Sequence, residues 1–160
     1  METVFRHLHM PYELACEFFA VFSRMEYALK ATRFPAGNDR HVYADWEAFA
    51  NEANRQFHSS MSKELKDAVA YLRDAPPKKQ MLNEMHQVRF VDFPHEEHRC
   101  ELDQLLLMVR CVRNNLFHGG KHLPDGEKVP GRNEVLVKHA LTIIKVCISI
   151  LPDVKESYER

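Results

Sequence analysis

Apolar side chains recur three and four residues apart over long stretches of this chain, the spacing of one face of an α-helix. Residues 12–32 follow Pro11, which suits a first helical turn, and hold no Gly or Pro. Their stripe runs Ala15, Phe18, Phe19, Phe22 and Leu29. A loop over 34–39 precedes a second predicted helix at 43–58, with Trp46, Phe49, Ala50, Ala53 and Phe57 on one side. A third spans 63–73, capped by Ser59 or Ser60, with a capping-box pattern in Ser60-Met61-Ser62-Lys63-Glu64. Ala75-Pro76-Pro77 ends it. Residues 78–88 fit a short helix, and 89–94 an extended connector too short and isolated to argue for a sheet.

The widest apolar face belongs to a central helix at 96–117, carried by Leu102, Leu105, Leu106, Val109, Val112 and Leu116. Gly119-Gly120 supply a left-handed stop, and 121–132 is a loop. A last helix at 133–151 runs Val135, Leu136, Ala140, Leu141, Ile144, Ile148 and Leu151 before Pro152 breaks it. Residues 1–10 form a loose arm and 152–160 a polar tail. Five to six helices with short connections predict a single all-α domain over residues 1–160, a helical bundle.

Two positions interrupt the apolar stripes. Glu26 stands where the first helix should continue between Phe22 and Leu29. Arg113 follows Leu106 and Val109 on the packed side of the central helix. Burying either charge alone is costly, so a Glu26–Arg113 ion pair without catalytic purpose is the simplest expectation. Arg24, two residues before Glu26, points to a different side of its helix.

Composition adds little to this picture, and charge somewhat more. The chain has 160 residues and a formal net charge of −1, with an isoelectric point near 6.8. No overall basic field therefore points to broad nucleic-acid binding, although a local cluster is still able to hold a phosphate. The four cysteines, Cys16, Cys100, Cys111 and Cys147, form no CxxC and read as buried free thiols. The N-terminus has no signal peptide and no apolar run nears the roughly 20 residues of a membrane span, so a cytoplasmic location is expected.

Polar chemistry concentrates at the end of the central helix, in Arg113-Asn114-Asn115-Leu116-Phe117-His118. Asn114 and Asn115 precede His118 by four and three residues and share its side, where they orient a phosphate or fix the imidazole tautomer. Arg113 and His118 are five apart, about 140° around a straight helix. They meet only if the helix loosens at Gly119-Gly120 or if a second copy packs across a two-fold axis. Arginine as a phosphate clamp and histidine as a proton shuttle make a metal-free phosphodiesterase set.

These residues carry a resemblance. The hexapeptide from Arg113 to His118 fits the R-x4–6-H signature of HEPN domains, with the polar residue that family prefers directly after the arginine. The surrounding RNNLFHGGK, together with FSRMEYALK over residues 22–30, resembles a bacterial and plasmid-borne HEPN subgroup. The likeness spans residues 12–151, although 36–93 contain no matching motif. It implies a HEPN-like helical bundle, a homodimer with facing motifs, and metal-independent RNA cleavage without any cofactor. It further implies a toxin of a toxin–antitoxin pair, with a cognate antitoxin as partner, or a phage-defence effector. Arg113 and His118 are then the catalytic pair, Asn114 the supporting polar residue, and Asn115, Glu26 and Arg24 further supports. Some HEPN members are catalytically silent and bind a partner protein or nucleotide, which is the alternative.

Other candidates are weaker. His95-Glu96-Glu97-His98 lacks the HExxH order and a third ligand, and reads as a solvated, acidic helix start. Lys121, His122, Lys128 and Arg132 bracket the loop beside His118, where Lys121 and His122 are candidate phosphate-binding residues. Phe18, Phe19 and Phe22 are expected in the core.

Overall fold

The computed structural model describes residues 8–117 and 129–160. Helix α1 spans Tyr12–Lys30, followed by strands β1 (Pro35–Gly37) and β2 (Val42–Ala44), then α2 (Trp46–Ala53) and α3 (Lys63–Asp74). Strands β3 (Lys79–Leu82) and β4 (Val88–Val91) precede α4 (Glu101–Phe117), α5 (Arg132–Ile150) and α6 (Pro152–Glu159). The protein is mostly helical, but two antiparallel two-stranded sheets replace part of the expected helix and loop.

Helix α5 takes the central position expected of α4: it packs against α1, α3, α4 and α6. Its side chains Val137, Ala140, Ile143, Ile144 and Cys147 are wholly buried. Burial pushes the Cys147 thiol up to about 12, so it stays protonated and inert. Cys111 is buried too, whereas Cys100 is half-buried and Cys16 exposed, against the expectation for these two. Phe19 is 54% exposed and so is not core. Among the described residues no single helix is long and apolar enough to cross a membrane.

Several boundaries move for local reasons. Residues 34–45 form the β1–β2 hairpin, pairing Pro35 with Ala44 and Gly37 with Val42. Gly37 sits at φ +131°, and a Cβ there would lie 2.2 Å from the His41 carbonyl oxygen, so only glycine fits. The second helix starts later than expected, at Trp46, because the Asp45 carboxylate accepts from the Ala48 amide at 2.9 Å and caps it. It also ends sooner, at Ala53. Ser62, rather than Ser59 or Ser60, caps α3 by accepting from Leu65 N at 3.1 Å. The expected helix over 96–117 begins only at Glu101. Ahead of it, Glu96 is taken up by Arg99 at 2.6 Å.

The largest departure is at 78–94, where the expected short helix and connector are the β3–β4 hairpin. Asn83 organises the turn: its Oδ1 accepts from the amides of Met85 and Gln87, each at 2.9 Å. Asn83 O accepts from His86 N at 3.0 Å, and His86 has φ 58°. This is a three-residue loop closed by a left-handed residue, a position that usually holds glycine. His86→Gly is therefore expected to raise stability by about 0.5–1 kcal/mol, read by denaturant unfolding. A decrease would mean that the His86 side chain matters more than its backbone strain.

The tail is also ordered differently from expectation. Pro152 opens α6, which turns 111° away from α5 and returns to α1. Val154 is wholly buried, and Tyr158 is partly buried against the core. Of the N-terminal arm, Leu8 and Met10 pack against the core, while residues 1–7 lie outside the described residues.

Candidate functional site

The last two turns of α4 distribute their polar residues over two sides. Arg113 faces α1, where its guanidinium lies over the Phe22 ring at 4.8 Å. Its Nη2 is 3.7 Å from Glu26 Oε2, and both side chains are 28% exposed. The expected ion pair is therefore present, but half-buried and longer than a hydrogen bond. Water screens such a pair, which contributes about 1 kcal/mol or less. The Arg113 Nε is buried with no hydrogen-bond partner among the described residues. Phe22, one helical turn before Glu26, thus holds the arginine in place while its outer N–H groups remain lightly engaged.

Phe19 and Phe117 continue this surface outward. Their rings lie 5.2 Å apart, and Phe117 is 44% exposed. A paired aromatic surface open to water sits beside the arginine, not inside the core.

The two asparagines do different things. Asn114 is exposed. Asn115 is buried and turned toward the hairpin: its Nδ2 donates to Lys78 O at 2.7 Å, and its Oδ1 accepts from Gln80 Nε2 at 3.0 Å. The Cys111 thiol donates to the same Lys78 carbonyl at 3.3 Å. Asn115 therefore pins β3 to α4, and its carboxamide is already occupied at both ends; it does not stand beside Asn114 as a second phosphate donor. Sequence alone treats the pair as equivalent because the hairpin that claims Asn115 was not foreseen.

Arg24 is likewise structural. Its Nε donates to the Tyr158 carbonyl at 2.5 Å, and its guanidinium lies 5.6 Å from the centre of the Tyr158 ring, tying α6 to α1. The histidine-glutamate run at 95–98 holds no metal-binding group: Glu96 is engaged by Arg99 and lies 3.6 Å from His98 Nε2. Among the described residues no three metal-capable side chains cluster. His118, Lys121, His122, Lys128 and the Gly119-Gly120 stop lie outside the described residues.

One residue escaped the sequence reading. Arg110 interrupts the apolar run of α4 one turn before Arg113, and it lines a cavity of about 370 Å³ between α4 and the β3–β4 hairpin. Burial, then repulsion by Arg113, lowers its pKa, with Glu26 opposing the change. Its position inside an apolar helix was the signal. The chain matches no family model, no curated protein and no solved structure.

Proposed function

We propose that this chain is a HEPN-type endoribonuclease that cleaves RNA without a metal ion, with a composite site at a homodimer interface. The observation that supports it most is the state of Arg113. Its guanidinium is held over Phe22 yet only loosely paired with Glu26, in the helix end that leads to His118. A positioned cation with lightly engaged donors suits a phosphate whose negative charge grows during reaction.

In the proposed step a base removes the 2′-hydroxyl proton and that oxygen attacks the adjacent phosphorus. The bond to the 5′-oxygen breaks, and that oxygen takes a proton. His118 serves one proton transfer or both, while Arg113 and Asn114 steady the phosphate. The ends formed are a 2′,3′-cyclic phosphate and a free 5′-hydroxyl. Toxin–antitoxin pairs and phage defence are the settings in which such an activity would act.

In a straight helix Arg113 and His118 would stand roughly 140° apart, and a second copy is, beside a helix end loosened at Gly119-Gly120, one of the two ways to unite them. The exposed Phe19–Phe117 pair suits burial against that copy. Phe19→Asp is then expected to halve the mass measured by light scattering. It should also cut RNA cleavage about tenfold or more as the composite site is lost. Cleavage at the wild-type rate by a folded monomer would remove the need for a dimer.

The direct test incubates purified protein with RNA in EDTA and analyses the new ends. Cyclic phosphate ends support the reading; folded dimer that leaves diverse RNAs intact sinks it. One observation favours a silent binding module instead: Arg113 already has a carboxylate beside it. On that reading, replacing Glu26 and Arg113 together by apolar residues of similar size leaves partner binding unchanged.

A further inference from the structure

The cavity between α4 and the hairpin is a second place where α4 presents a cation. Leu107, Arg110, Cys111 and Asn114 recur at three- and four-residue spacing and line it, whereas Arg113 turns to α1. Arg110 is half-buried and makes no hydrogen bond or ion pair among the described residues. A guanidinium kept from water ordinarily has an anion beside it, because desolvating the charge alone is costly. Glu26 on α1 and Asp103 on α4 favour its charge, but these carboxylates pair with Arg113 and Arg99 and not with Arg110, and the neighbouring Arg113 works against it.

The walls suggest what does. Lys79 on β3 brings a second cation, and the exposed Asn114 carboxamide makes no hydrogen bond among the described residues. Glu96, the one carboxylate among the described lining residues, is already engaged by Arg99 at 2.6 Å. Phe93 and Leu107 provide an apolar surface, with the aromatic ring half-buried. The volume lies at the lower end of the range for small-ligand sites. Two cations, a neutral amide and a flat apolar wall favour a ligand with an anionic end and a planar, hydrogen-bonding body. Arginine presents a planar fork to phosphate oxygens, aromatic rings stack on bases, and carboxamides read base edges.

We propose that this cavity binds a nucleotide, its phosphate on Arg110 and Lys79 and its base against Phe93 within reach of Asn114. Resting on the ribonuclease reading, the occupant is the RNA nucleotide next to the one cleaved, since Asn114 belongs to this cavity and directly follows Arg113 in the chain. The cavity thereby makes cleavage depend on the neighbouring base.

The test uses full-length His118→Ala protein and calorimetric titration with each of the four nucleoside 5′-monophosphates, the matching nucleosides and inorganic phosphate. At least one monophosphate is expected to bind, with its nucleoside and inorganic phosphate each weaker by about tenfold or more. Arg110→Gln should weaken the monophosphate by about tenfold or more, and Arg110→Lys should recover part of the loss. Lys145→Gln, an exposed position paired with Glu17, should change nothing. Absence of saturable binding up to about 5 mM overturns the proposal, as does wild-type affinity in folded Arg110→Gln. Should that variant misfold by circular dichroism, Lys79→Gln and Phe93→Ala decide, and unchanged affinity in both overturns it. Protein that binds the monophosphate yet never cuts RNA keeps this site and loses the ribonuclease reading. Protein that cuts RNA but binds no monophosphate loses this site alone.

Discussion

Alanine at His118 is expected to lower RNA cleavage by about 10²–10⁴-fold, the usual contribution of a positioned proton shuttle. Arg113→Ala should lose a similar factor through the charge on the phosphate. The Arg113 effect belongs to the proposed chemistry more than to folding, because the Glu26–Arg113 pair is loose and partly hydrated. Arg113→Lys separates the two contributions. It keeps the charge but has neither the fork for two phosphate oxygens nor the plane that rests on Phe22, so an intermediate rate is expected. Rates measured against pH complete the test: His118→Ala should remove a limb of the wild-type profile near neutrality. His118→Ala protein that cleaves within about threefold of wild type would end the case for histidine as the shuttle.

Asn115→Ala is expected to cost about 2–3 kcal/mol in denaturant unfolding. The loss removes the carboxamide that bonds Lys78 and Gln80 and leaves buried groups with fewer partners. Asn114→Ala, one residue earlier, should stay within about 0.5 kcal/mol because that side chain is exposed. On the proposed chemistry the order reverses for RNA cleavage, with Asn114→Ala losing more activity than stability. Equal destabilisation by both would contradict the division of labour between the two asparagines.

The helices that form the core were legible because their stripes are long and regular. Phe18, Phe22 and Leu29 in α1, and Leu136, Ala140 and Ile144 in α5, bury as their periodicity suggests. The β3–β4 hairpin was not legible. Lys79, Met81, Leu82, Val88 and Arg89 are all exposed, so no inward-outward alternation marks either strand. Its turn also uses His86 where a glycine would have announced it. Helix α6 was hidden by composition, since eight mostly polar residues wholly bury one side chain, Val154. The Glu26–Arg113 contact could be read because each residue breaks an apolar stripe. Asn115 could not be distinguished from Asn114, since the difference between them lies in a hairpin more than 20 residues away.

Helix α1 packs against α5 and α6, so the first helix meets partners that begin more than 100 residues later. A helical domain usually draws its speed from contacts between chain neighbours, and closing such a long segment first costs entropy with no return. On a ribosome, the apolar face of α1 emerges well before residues 132–159, which cover it. Until those later residues are made, Phe18, Phe22 and Leu29 are surfaces for chaperones to hold.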